Sequence, residues 1–144
     1  MWTFKSFDEL TPMELYDALR LRSEVFVVEQ NCVFLDMDGA DAACHHLLGY
    51  DQRIMAYARI VPPGLKYPEP SIGRVVTAPS GRGKGWGRAL MEEALLRLQA
   101  LYGFQPVRIG AQQYLVDFYG SIGFRQEGPM YLEDNIPHVE MVLK

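Results

Sequence analysis

Between Ile72 and Leu90 the chain runs from a β-branched strand through a glycine-rich turn into an amphipathic helix, and this stretch limits the possible folds more than any other. Gly81, Gly83, Gly85 and Gly87 recur at alternate positions. They free the backbone to bend and let successive amides point into one concavity. Placed at a helix N-terminus, such a nest is an anion site, because unpaired N–H groups and the positive dipole end coincide. Arg82, Lys84 and Arg88 lie at that same end. There each costs about 0.3–1 kcal/mol unless an anion neutralises it. A solvated basic turn is the bland alternative; a polyanionic ligand fits the charges better. Lys84 is followed by Gly85, so the Walker A pattern fails, and Arg88 stands where the dinucleotide fingerprint needs its third glycine.

The chain has 144 residues, 49% of them hydrophobic and 22% charged, which predicts one domain over 1–144 and excludes disorder. Its net charge of −4 argues against non-specific binding to nucleic acid or to an anionic membrane. No apolar run approaches the length of a membrane span. Met1–Lys5 lacks the build of a signal peptide and two cysteines make no disulfide framework, so cytoplasm is the expected compartment.

A strand is expected over Trp2–Phe7. Thr11-Pro12-Met13-Glu14 has capping-box spacing, predicting a helix or pair of helices through the mid-twenties. Strands follow over His46–Tyr50, Ile54–Val61 and Ile72–Thr77, the last after a proline loop at 62–70. Leu90, Met91, Ala94, Leu95, Leu98 and Leu101 form one face of a helix. A strand over Val107–Ala111, a short helix over Leu115–Ile122 and a closing strand over His138–Leu143 complete the chain. The expected fold is mixed α/β, with a mostly antiparallel central sheet flanked by helices and some parallel pairing from the crossovers. His45 and His46 point to opposite faces of their strand, so Cys44, His45 and His46 do not form a metal cluster, and no metal is expected.

Arg82-x-x-Gly85-x-Gly87 resembles the pyrophosphate loop of the GNAT superfamily of N-acetyltransferases. Phe118-Tyr119-x-x-x-Gly123-Phe124 resembles the second motif of that superfamily. Val25–Cys32, Asp38-Gly39, Ala56–Ile60 and Asp134–His138 are similar to its ElaA-like branch. Asn135 stands where glycine is expected, and Gln112 where many members have asparagine.

The resemblance implies that the strand Ile72–Thr77 splays from Val107–Ala111 and holds acetyl-CoA in the gap. The pantetheine arm would pair with Val75, Val76 and Thr77, and the pyrophosphate would rest on residues 82–88 (Arg82, Gly83, Lys84, Gly85, Trp86, Gly87 and Arg88), with Gln112 and Phe118 nearby. Acyl transfer to an amine needs a polarised carbonyl, a neutral amine and a proton for the thiolate. The resemblance gives these roles to the Val76 N–H, to a base and to Tyr119. For the base, Glu29 beside Val25–Val28 would have its pKa raised by burial, and His138 has a suitable intrinsic pKa; a water chain is the third option. The acceptor, a small-molecule or peptide amine, would sit among the early helices, the loop Phe34–Asp41 and Met130–His138. Asp36, Asp38, Asp41, Glu133 and Asp134 would attract its positive charge. A non-catalytic acyl-CoA sensor and an acyl-homoserine-lactone-synthase-like acyltransferase are the rival readings, and a homodimer is left open.

Overall fold

The computed structural model describes all 144 residues. Strand β1 (Trp2–Ser6) leads to helix α1 (Pro12–Arg22), whose start follows from its sequence. The Thr11 hydroxyl accepts the Glu14 N–H at 3.1 Å, and the Glu14 carboxylate accepts the Thr11 N–H at 2.9 Å. After Arg22 the helix widens into a π-helical segment, Ser23–Glu29, so of the two expected arrangements, one helix or a pair, the chain forms one helix that changes pitch.

Strands β2 (His45–Asp51), β3 (Arg53–Val61) and β4 (Ser71–Thr77) join β1 in an antiparallel sheet of order β1-β2-β3-β4. Helix α2 (Trp86–Tyr102) crosses to β5 (Val107–Gln112), and α3 (Val116–Ile122) follows. A second antiparallel sheet pairs β5 and β6 (Arg125–Gln126) with β8 (Ile136–Leu143), and β7 (Tyr131–Glu133) forms a hairpin with β8. Leu90, Met91, Ala94 and Leu98 of α2 are fully buried against Ala56, Ala58 and Ile60 of β3 and Ile109 of β5. Burying each large side chain contributes about 1.5–3 kcal/mol. No helix is long and apolar enough to cross a membrane.

The mixed α/β architecture is as expected, but every strand pair is antiparallel. The expected parallel pairing is absent because β4 and β5, which should have supplied it, meet only at their starts. There the Arg108 N–H donates to the Pro70 carbonyl at 3.1 Å. The Arg108 guanidinium also bridges Glu69, Glu127 and Glu140 at 2.9–3.1 Å, fastening this end. Beyond it the two strands diverge.

A bulge helps to turn β4 aside. Tyr57 pairs with Val76 and Arg59 with Gly73, so Arg74 and Val75 together oppose Ala58. Arg74 has φ +50°, a left-handed conformation costing a non-glycine residue about 1–2 kcal/mol. Its side chain anchors it: Nε donates to Asp36 Oδ1 at 2.9 Å and Nη2 to the Asp36 carbonyl at 2.8 Å. Asp36 also accepts from Arg22, which reaches Asp41, and Asp41 and Asp38 both accept from Arg59. His46 completes this buried network. Its Nε2–H donates to the Asp41 carbonyl at 2.9 Å, so Nδ1 accepts the Tyr57 hydroxyl at 2.6 Å. Burial holds the His46 pKa below its ordinary value. His45 projects to the other face, stacked on Phe4.

Arg22 is 1% exposed, and removing it takes from the interior the guanidinium shared by Asp36 and Asp41, leaving Asp36 with Arg74 alone and Asp41 with Arg59 alone. Arg22→Ala should therefore cost about 3–5 kcal/mol in urea unfolding. Lys5→Ala, which breaks the more exposed pair with Glu14, should cost less than about 1 kcal/mol. Equal losses would show that the network does not support the fold.

Candidate functional site

A cavity of about 590 Å³ occupies the gap between the diverging strands. Its walls are residues 71–77 of β4, Ile109, Gly110 and Gln112 of β5, Phe118 and Tyr119 of α3, and Phe26, Glu29 and Gln30 of the π-helical segment. Phe34 and the β7–β8 hairpin residues Glu133, Asp134, Ile136 and His138 also line it.

The β4 edge of this cavity presents main-chain groups in alternation. The Ala78 N–H donates to the Met55 carbonyl at 2.8 Å, which makes 78 and 55 a hydrogen-bonded pair. Counting back along the antiparallel register, Val76 is hydrogen-bonded to Tyr57, whereas Thr77 and Val75 turn their N–H and C=O groups away from β3 toward the gap. The Val76 N–H expected to polarise a carbonyl is thus committed to β3. The free N–H belongs to Val75.

Gly83 and Gly85 have φ +77° and +83°, and Gly85 is the residue on which α2 starts. A left-handed residue at this position turns the chain so that the first N–H groups of α2 open outward, without any side-chain cap. A Cβ at Gly85 would meet nothing within 4 Å, so conformation, not space, demands glycine there. This open, uncapped helix start beside three basic residues fits a pyrophosphate.

The side chains of the loop take separate directions. Arg82 lines the cavity and bonds Glu29 at 2.6 Å. Lys84 is exposed away from it. Trp86 packs edge-on against Trp2, 5.6 Å between centroids, over Gly49, where a Cβ would lie 2.6 Å from the Trp2 ring. Its large apolar ring is held by the core, leaving only its backbone for a ligand. Arg88 donates to the Ser121 hydroxyl at 2.6 Å, tying α2 to α3.

Tyr119 lines the cavity, is 5% exposed, and makes no hydrogen bond through its hydroxyl; burial raises its pKa. His138 lines the same cavity, paired with Gln112 of β5 in the strand register, and its Nδ1–H donates to the Ile136 carbonyl at 2.7 Å, which leaves Nε2 without a hydrogen bond. Glu29 departs from expectation. It is exposed, and the hydrogen bond from Arg82 holds its pKa below the ordinary carboxylate value instead of above it. Gln112 exchanges hydrogen bonds with Gln30 at 3.1 and 3.3 Å, joining β5 to the π-helical segment.

Of the five acidic residues expected to attract a cation, Asp36, Asp38 and Asp41 are consumed by Arg22, Arg59 and Arg74. The hydrogen bond from Arg59 pulls the Asp38 pKa far below its usual value. Sequence reasoning passed over Gln30, Phe26 and Arg74 as site residues. Gln30 and Phe26 could have been found from the change of helical pitch, had it been legible. Arg74 carried no signal, since an arginine in a strand does not announce a left-handed bulge.

Residues 22–144 match the acetyltransferase (GNAT) domain family. The chain is 39% identical to protein ElaA of Escherichia coli, covering 97% of this chain and 94% of that one. It is also 39% identical to a UPF0039 protein of Synechocystis, over 99% and 94%. An acyl-CoA N-acyltransferase from Pseudomonas aeruginosa superposes with a TM-score of 0.94 at 40% identity, covering 100% and 99% of the two chains. The AHL synthase LasI shares the fold alone, with a TM-score of 0.77 at 17% identity over 99% and 88%. With its splayed strands, uncapped glycine loop and these similarities, the chain belongs to the GNAT acetyltransferase family, alongside ElaA and the UPF0039 proteins.

Proposed function

We propose that this protein transfers an acetyl group from acetyl-CoA directly to a primary amine. One observation carries the reading: β4 and β5 fail to pair, and Val75 and Thr77 turn unpaired main-chain groups into the resulting gap. An extended amide-bearing chain such as pantetheine can complete that edge as an added strand. The amides of residues 82–88, backed by Arg82, would hold the pyrophosphate, and Phe118 would pack beside the arm.

Bound acetyl-CoA would supply an activated thioester. The Val75 N–H is directed toward the gap and would polarise its carbonyl. Tyr119, kept protonated by burial, would give its proton to the departing sulfur. His138 is the base in this reading, because its Nε2 is unbonded at the acceptor end, whereas Glu29 is neutralised by Arg82. A cavity that continues past the donor channel to a histidine favours catalysis over a sensor that only binds.

Acetyl-CoA at about a hundredfold its Kd should raise Tm by about 5–10 °C, with ATP and NAD far less effective. Gly85→Val should abolish that rise while circular dichroism stays native. Equal stabilisation by ATP, or normal acetyl-CoA binding by the variant, contradicts the assignment of the loop. Tyr119→Phe should bind acetyl-CoA normally and lose roughly 10²-fold in kcat. An unchanged kcat, where chemistry limits the rate, would show that water protonates the sulfur.

A further inference from the structure

The carboxylates around the cavity fall into two groups. Asp36, Asp38, Asp41 and Glu29 are each held by arginine. Glu133 and Asp134 line the cavity and have no lysine or arginine within ion-pair distance. Lys66 lines the same mouth without an ion-pair partner, so one of those two negative charges is offset at a distance and about one remains.

A separate observation points to a ligand here. The His138 side chain is 8% exposed, and its Nε2 makes no hydrogen bond, lying 3.6 Å from Glu133 Oε2. The hairpin creates this juxtaposition. Asp134 and Asn135, at φ +50° and +63°, form its two-residue left-handed turn. Glu133 therefore opposes Ile136 on the face that also carries His138. The Cys32 thiol donates to the Asp134 carbonyl at 3.2 Å and ties the turn to the end of the π-helical segment. Phe26, Phe34 and Ile136 supply apolar walls beside the charge.

We propose that Glu133 captures the acceptor as its ammonium ion and presents it to Nε2 of His138, so that the acceptor is a primary amine with one positive charge and an apolar body. This rests on the acyl-transfer reading above. The ammonium N–H bond breaks, its proton bonds to Nε2, and the electron pair stays on the amine nitrogen. That pair forms the new C–N bond as the thioester C–S bond breaks with its electrons going to sulfur. The second N–H proton replaces the one given to sulfur, so one proton reaches solvent per turnover, from an imidazolium that Glu133 balances. His138 is the catalytic residue and Glu133 the binding one. The other polar groups around them are Asp134 and Tyr131 of the hairpin, Tyr67 and Lys66 of the proline loop, Gln112 of β5, and Asp38 and Arg74, which are already bonded to Arg59 and Asp36.

The test uses two nearly isosteric probes at pH 7.5: 2-phenylethylamine, which is cationic, and O-benzylhydroxylamine, which is uncharged. KM and kcat are read from thiol release with acetyl-CoA, and Kd from calorimetry on the protein saturated with CoA. Glu133→Gln should raise KM and Kd for 2-phenylethylamine roughly fivefold, the effect of losing one partly exposed charge partner. It should leave O-benzylhydroxylamine within twofold, and Glu133→Asp should recover part of the loss. Equal losses on both probes, or none on either, overturn the proposal. Spermidine binding the wild-type protein more tightly than 2-phenylethylamine overturns the single-charge assignment. A charge-selective change in Kd without thiol release from the wild-type protein would sink the transfer reading and with it the proton step at His138, leaving Glu133 as a cation-binding residue; thiol release without charge selectivity would overturn capture by Glu133 and leave the transfer reading standing.

Discussion

Two strands that lie side by side and do not pair are the constraint on which the rest of this structure depends. An unpaired N–H or C=O removed from water costs about 1–3 kcal/mol, so neighbouring strand edges ordinarily zip together. Here Arg108 of β5 holds the start of β4 through Pro70 and Glu69, and its own sheet through Glu127 and Glu140, while the bulge at Arg74 helps to turn the rest of β4 away. The result is a wedge with a fixed apex. Its β4 wall keeps main-chain groups aimed inward at Val75 and Thr77, and its floor is the apolar layer under α2.

The bulge is not favourable by itself, and its support explains the density of charge on one side of the molecule. Arg74 accepts a left-handed backbone because Asp36 grips its side chain, and Asp36 is held in turn by Arg22. Arg59, Asp38, Asp41, His46 and Tyr57 close that network in the interior. Charges that look like a docking field for a cation therefore serve to shape the β4 edge. The field left for a ligand is the smaller one at Glu133 and Asp134.

The sequence revealed those parts of the molecule that depend on local backbone physics. Gly83 and Gly85 are left-handed where a nest needs them, Thr11 and Glu14 cap α1, and Asn135 turns the hairpin as a glycine would. Long-range pairing was not legible. Nothing local says that Glu29 meets Arg82, 53 residues away, or that Asp36 meets Arg74 across 38. For that reason a carboxylate expected to be buried and basic proved exposed and neutralised. Trp86 shows the same limit from the other side: it sits within a ligand-binding loop, yet its ring belongs to the core through Trp2 and Gly49. The choice between Val75 and Val76 depended on a one-residue register, which alternation fixes only once the partner strand is known.

That register offers the most direct measurement. Amide hydrogen exchange, resolved residue by residue by NMR with and without acetyl-CoA, reads which N–H groups of β4 the donor engages. The amides of Val75 and Thr77 should become protected on binding, while that of Val76, already bonded to β3, should change little. Acetyl-CoA bound with Val75 and Thr77 exchanging as freely as before would contradict the claim that the unpaired edge of β4 holds the donor.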